Sequence, residues 1–166
     1  NPGGDFKIGN EIMGNPGDAK YGFTYAQLQE GLKRLKELGA KVYIATDDGS
    51  EGTKGFVTTV LQDLLDKGEV YDECIAIGPL IMMKNVVNVT KPADLHTMVS
   101  LNPIMIDGTG MCGGCRVTIG GETKFACVDG PDFDGFLVDF DECMKRQGMF
   151  KEEEHECKMM ALGGEA

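Results

Sequence analysis

The stretch Ile106-Asp107-Gly108-Thr109-Gly110-Met111-Cys112-Gly113-Gly114-Cys115 constrains this chain more than any other, together with Cys127 in Phe125-Ala126-Cys127-Val128-Asp129-Gly130-Pro131. Three of the six cysteines fall there with the spacing C-x2-C-x11-C, and Asp107 stands five residues before the first of them. Closely spaced thiols with a carboxylate in reach are a donor set for a metal. A short loop that wraps a compact inorganic group has to turn sharply between its ligands. Gly108, Gly110, Gly113 and Gly114 interleave the donors and permit positive φ or close backbone approach.

The run Asp107-x4-Cys112-x2-Cys115, followed by the distant Cys127, reproduces the plant-type [2Fe-2S] spacing C-x4-C-x2-C plus a fourth cysteine, with a carboxylate in the first thiolate's place. Between Arg116 and Cys127, β-forming residues flank Gly120-Gly121, which predicts a hairpin whose closure returns Cys127 to Cys115. Two other readings stay open on the residues alone. A structural zinc site needs further cysteine or histidine beside its C-x2-C pair, and His96 and His155 lie outside the loop. Free buried cysteines, or a disulfide, would need no metal.

The chain has 166 residues, room for one ordinary domain or a medium and a small module. Its formal charge of −11 argues against nucleic-acid phosphates or an anionic membrane surface as partner. No apolar run approaches the length needed to span a bilayer, and no secretory leader is visible at Asn1-Pro2-Gly3-Gly4-Asp5. Clustered cysteines without such a leader suit a reducing compartment, so a cytoplasmic location is expected.

Taken in order, residues 1–22 are turn-rich, with Pro-Gly turns at 1–5 and 15–18, and predict an irregular segment. Leu28, Leu32, Leu35 and Leu38 recur at helical spacing and Gly39 follows as a stop. Lys41–Thr46 reads as a strand, which makes a helix–strand order and predicts a parallel sheet. Asp47-Asp48-Gly49-Ser50 follows that strand, where parallel sheets bind ligands, so Asp47 and Asp48 are candidates for ribose hydroxyls; a polar turn and helix cap explains them equally well. A helix carrying Val57, Val60, Leu61, Leu64 and Leu65 comes next. A strand over 71–77 then enters the Gly78-Pro79 corner, a helix runs from about Leu80 to Val89, and a strand over 96–101 delivers the chain into the cysteine loop. After the hairpin, 129–135 reads as a turn, and a short helix runs through Arg146. Cys74, in or beside the strand, reads as a small core residue, and Cys143 and Cys157 have no ligand-like neighbours at short range.

Three motifs in one order carry a resemblance: Ala45-Thr46-Asp47-Asp48-Gly49-Ser50-x-Gly52-x-Lys54-Gly55-Phe56, Ala76-Ile77-Gly78-Pro79-Leu80-x-Met82-Met83, and Ser100–Cys115. Together they resemble the electron-transfer flavin subunits of the ferredoxin–NADP reductase superfamily. This group holds the small subunit of NADH-dependent ferredoxin:NADP oxidoreductase, also described as sulfide dehydrogenase subunit, and the electron-transfer subunit of dihydroorotate dehydrogenase. The resemblance covers roughly Lys41 to Gln147. It implies an α/β fold: a partial, parallel-sheet nicotinamide-binding domain over 23–102, then a small [2Fe-2S] module with a β-hairpin and short helix over 103–150, and a charged tail over 151–166. It implies Asp107, Cys112, Cys115 and Cys127 as cluster ligands, with Asp47, Asp48, Gly78, Pro79 and Met82 near the nucleotide and flavin.

Relatives of this kind carry an amino-terminal flavin-binding β-barrel and a strand running into a Gly-rich phosphate loop, and neither is legible here. FAD and NAD(H) are therefore expected in the intact assembly, which would pass electrons through the [2Fe-2S] centre to a larger flavoprotein and iron–sulfur subunit, and through that complex to ferredoxin. A non-enzymatic cluster carrier or docking module is the alternative.

Overall fold

The computed structural model describes residues 6–8, 11–13, 25–150, 152–153 and 155–157. They fall into two compact units, residues 1–71 and 72–166.

In the first unit, β1 (Phe6–Ile8) pairs antiparallel with β2 (Glu11–Met13), two short strands in a segment whose sequence reads as irregular. The Pro-Gly turns at 1–5 and 15–18 lie outside the described residues. The leucine periodicity is realised in α1 (Tyr25–Glu37), which closes with Gly39 N–H donating to Lys36 O and Ala40 N–H to Leu35 O, both at 3.0 Å. The strand expected over 41–46 narrows to its last two residues, β3 (Ala45–Thr46), which pairs in parallel with β4 (Thr53–Lys54). Val57, Val60, Leu61 and Leu64 of α2 (Val57–Asp66) line a cavity of about 190 Å³ with Tyr43 and Ala45.

The second unit is built on the parallel pair that the sequence predicts. β5 (Cys74–Ile77) leads through α3 (Leu80–Thr90) and a 3-10 turn to β6 (Thr97–Ser100), in the register Cys74↔Thr97 to Ile77↔Ser100. The connecting helix packs Met83, Val86 and Val87 into the core, and Val99 of β6 is fully buried. Thr90 and Thr97 are also fully buried, and their hydroxyl oxygens lie 2.6 Å apart. The Leu95 carbonyl, 2.9 Å from the Thr97 hydroxyl, is a further acceptor, so both buried hydroxyls are satisfied.

β7 (Arg116–Ile119) and β8 (Glu122–Phe125) form the expected hairpin. Gly120 and Gly121 both take positive φ, 59° and 84°, the two-residue turn whose twist matches the strands. A single helical turn, α4 (Ala126–Asp129), follows. The segment 129–135 is more than the turn expected of it, because β9 (Asp132–Asp134) pairs antiparallel with β6 and gives the sheet order β5-β6-β9. Its one apolar residue, Phe133, is buried opposite Val99, while the flanking Gly and Asp residues carry turn signals. The return of β9 to β6 keeps the residues on both sides of position 102 in one unit.

The last core element is α5 (Phe140–Gln147), which buries Phe140 and Cys143. Asp139 caps it by accepting the Glu142 N–H at 2.9 Å, and the Asp139 N–H donates to Thr118 O of β7 at 2.9 Å. That pair of bonds fixes α5 beside the hairpin.

Candidate metal centre

The hairpin register decides where the cysteines meet. Arg116 pairs with Phe125, so Cys115 and Ala126 come next, and the Ala126 N–H donates to Cys115 O at 3.1 Å. Cys127, in α4, then sets its sulfur 3.1 Å from the Cys115 sulfur. Cys115 is almost fully buried and Cys127 is half-buried. Backbone N–H and thiol donors from Cys127 hold the Cys115 thiol below its ordinary value, and the same sulfur contact pushes Cys127 up. The two thiols therefore titrate as a pair.

The other two predicted donors form a second pair. Asp107 Oδ1 accepts the Thr109 N–H at 2.8 Å and its Oδ2 accepts the Cys112 N–H at 3.0 Å. These bonds, the one from Thr109 foremost, hold its carboxyl below the usual carboxylate range. A Cβ at Gly110 would lie 3.0 Å from Val128 Cγ2, so the Asp107–Cys112 loop runs beside α4, which carries Cys127. The Gly114 N–H donates to the Cys112 sulfur at 3.4 Å. A Cβ at Gly114 would sit 3.1 Å from Ile106 Cδ1 and 3.5 Å from that sulfur, so a side chain there would have to displace Ile106.

Among the described residues, no three of these donors converge on one point as a single-ion site would have them. Three thiols and a carboxylate arranged as two pairs fit a two-iron cluster, which takes its protein donors two to each iron.

Around the loop, apolar side chains face water: Ile106 is 74% exposed and Met111 89%, with Met105 and Val128 also open. Beneath it lies a cavity of about 200 Å³ lined by Leu101, Ile104, Cys112, Arg116, Arg146 and Phe150, among others.

The nucleotide candidates are placed differently. Asp47 is half-buried and Asp48 exposed in the first unit. Asp48 Oδ1 accepts the Ser50 N–H at 2.9 Å, a bond that lowers its pKa and ties up one oxygen in its own turn. Gly78, Pro79 and Met82 belong to the second unit, where Pro79 starts α3 and the buried Met82 folds its methyl over Gly78, into the space a Cβ would need. No sequence signal marks two further residues at the loop, Arg146 and Gln147, whose bonds to Gly114 and Asn102 span 32 and 45 positions.

Residues 102–139 match the family model of the iron–sulfur cluster binding domain of dihydroorotate dehydrogenase B. A Clostridium beijerinckii protein of uncharacterized role is 53% identical over 76% of this chain and 43% of its own length. A Thermotoga maritima homologue of the dihydroorotate dehydrogenase B (NAD(+)) electron transfer subunit is 52% identical over 74% of this chain and 43% of its own. The chain thus spans about two fifths of the length of these curated relatives. Among solved structures, one from work on flavin-based electron bifurcation by NADH-dependent reduced ferredoxin–NADP oxidoreductase is 46% identical, with a TM-score of 0.68 over 78% of this chain and 46% of that one. Among the described residues no helix is long and apolar enough to cross a membrane. Residues 102–139 therefore match the dihydroorotate dehydrogenase B type of iron–sulfur binding domain, and the chain around them is similar to part of the electron-transfer subunits that carry it.

Proposed function

We propose that this chain is the cluster-bearing part of an electron-transfer subunit in an NADH-dependent ferredoxin:NADP oxidoreductase of the electron-bifurcating type. The observation that carries this reading is the pairing of donors, Cys115 with Cys127 and Asp107 with Cys112, inside the matched iron–sulfur domain. A [2Fe-2S] cluster bound by these four residues supplies a one-electron site.

The chain's own residues hold and shield that site. Burial of Cys115 keeps water from one side, and the Gly114 N–H offers the Cys112 sulfur a hydrogen bond that favours its anionic form. Asp107 remains ionised because Thr109 and Cys112 donate to it, so it is ready to ligate without first losing a proton. In the intact assembly, electrons would pass between NAD(H), FAD and this centre, and on to a larger flavoprotein and iron–sulfur subunit that serves ferredoxin. Exposed Met105, Ile106, Met111 and Val128 support a partner seated against the loop, since apolar side chains of this size clustered in water mark docking faces. Asp47 and Asp48 would face the nucleotide, with Gly78, Pro79 and Met82 close to nicotinamide and flavin. A reducing compartment, the cytoplasm, suits three free thiols committed to a metal.

The test is anaerobic reconstitution followed by visible spectroscopy while NADH is added with and without the flavoprotein partner. Bleaching of the cluster bands only when the partner completes the assembly supports the proposal. No bleaching in either case would leave a cluster carrier that does not communicate with NADH.

A further inference from the structure

The cysteine loop is gripped from outside by the last turn of α5. Arg146 Nη2 donates to Gly114 O at 3.1 Å, across 32 positions and in a half-buried setting, and the next residue, Gln147, donates through Nε2 to Asn102 O at 3.3 Å. One helix end therefore holds both the entrance of the loop and the turn between Cys112 and Cys115.

We propose that Arg146 is the positioning residue of the centre: it fixes the turn Cys112-Gly113-Gly114-Cys115 through its hydrogen bond to Gly114 O, and it sets a permanent positive charge against the cluster. This inference rests on the cluster reading above and adds to it a residue outside the matched stretch 102–139.

The chemistry follows from one residue. The residue whose carbonyl Arg146 grips, Gly114, donates its own N–H to the Cys112 sulfur at 3.4 Å. A charge-assisted bond on that carbonyl fixes Gly114, and with it the N–H that is aimed at sulfur. Hydrogen bonds to sulfur and nearby charge are both levers on the potential of an iron–sulfur centre. Reduction adds a negative charge, so a guanidinium against the loop favours the reduced state and raises the midpoint potential. A guanidinium keeps its charge at ordinary pH, so this contribution does not titrate. The other charged side chains around this helix are Asp139, Asp141, Glu142 and Lys145 on or beside it, Lys84 of α3, which pairs with Asp141 at 2.7 Å, and Arg116 of β7, which lines the same cavity; among the described residues the hydrogen bond to the Gly114 carbonyl is made by Arg146.

The test uses the full chain reconstituted anaerobically, as wild type, Arg146→Gln and Arg146→Lys, with iron and sulfide content, EPR and a redox titration on each. Arg146→Gln should hold the same iron and sulfide at a more negative midpoint, by an amount independent of pH, and Arg146→Lys should recover most of the shift. Loss of the cluster in Arg146→Gln but not in Arg146→Lys, with helix content retained, also supports the positioning role. An unchanged midpoint and EPR spectrum in Arg146→Gln overturns it, as does an equal shift or an equal loss of cluster in both variants, which would remove charge from the explanation. Absence of iron and sulfide from the wild type would instead overturn the cluster reading itself.

Discussion

The Cys115 and Cys127 sulfurs lie 3.1 Å apart although 12 positions separate them, because the hairpin between them closes in the register Arg116↔Phe125. Two thiols this close, one buried, are arranged for shared ligation. Cys127→Ser should cut bound iron to a small fraction of wild type, whereas Cys74→Ser, a half-buried thiol in β5, should keep it. Iron and acid-labile sulfide assays on the two variants side by side check this, and equal retention would remove Cys127 from the ligand set.

Asp107 is the unusual donor, and its replacement is informative. Asp107→Cys should keep the cluster and move its midpoint to a lower potential, since a thiolate donates more electron density than a carboxylate. The wild-type midpoint should stay level with pH until the acid end, below the usual carboxylate range, because Thr109 and Cys112 donate to Asp107 and keep it ionised. Redox titrations of both proteins at several pH values test these points, and identical curves would place Asp107 outside the coordination sphere.

Cys143 makes a separate prediction about pH. Burial pushes its thiol from 9.0 to about 11, so the folded chain keeps it neutral where the unfolded chain ionises it. The raised value means that this contribution to stability is fully present below pH 9.0 and is lost as pH climbs from there through about 11. Denaturant unfolding across that window should show a decline that is smaller in Cys143→Ala. Near neutral pH, iodoacetamide should modify exposed Cys157 well before Cys143.

The buried hydroxyl pair supports the parallel β5-α3-β6 unit. Thr97→Val leaves the Thr90 hydroxyl with only its long contact to Val87 O at 3.4 Å. That loss should cost about 1–3 kcal/mol. Met83→Ala, which empties a fully buried site on α3, should cost about 2–5 kcal/mol. Urea midpoints measure both; a change near zero at Met83 would mean that the site collapses on substitution.

What the sequence made legible was local chemistry. The parallel strand–helix–strand unit, the Gly120-Gly121 hairpin and the meeting of Cys115 with Cys127 all follow from periodicity, turn residues and spacing over short ranges. What it concealed was long-range pairing. β9 has one apolar residue among aspartates, and its reason for being a strand is the distant Val99, in the register Val99↔Phe133. Arg146 and Gln147 look like an ordinary basic and polar helix end, and only the fold brings them to Gly114 and Asn102. The Asp-Asp-Gly-Ser turn shows the opposite case: Asp48 engages its own Ser50 N–H, the local role that a polar turn predicts, and its part in nucleotide binding rests on the resemblance.

The most direct measurement is anaerobic iron, acid-labile sulfide and zinc content of the full chain, with an EPR spectrum of the same sample after dithionite reduction. About two irons and two sulfides per chain with a half-spin signal on reduction is the predicted result. Stoichiometric zinc without sulfide would contradict it and turn the paired cysteines into a structural site.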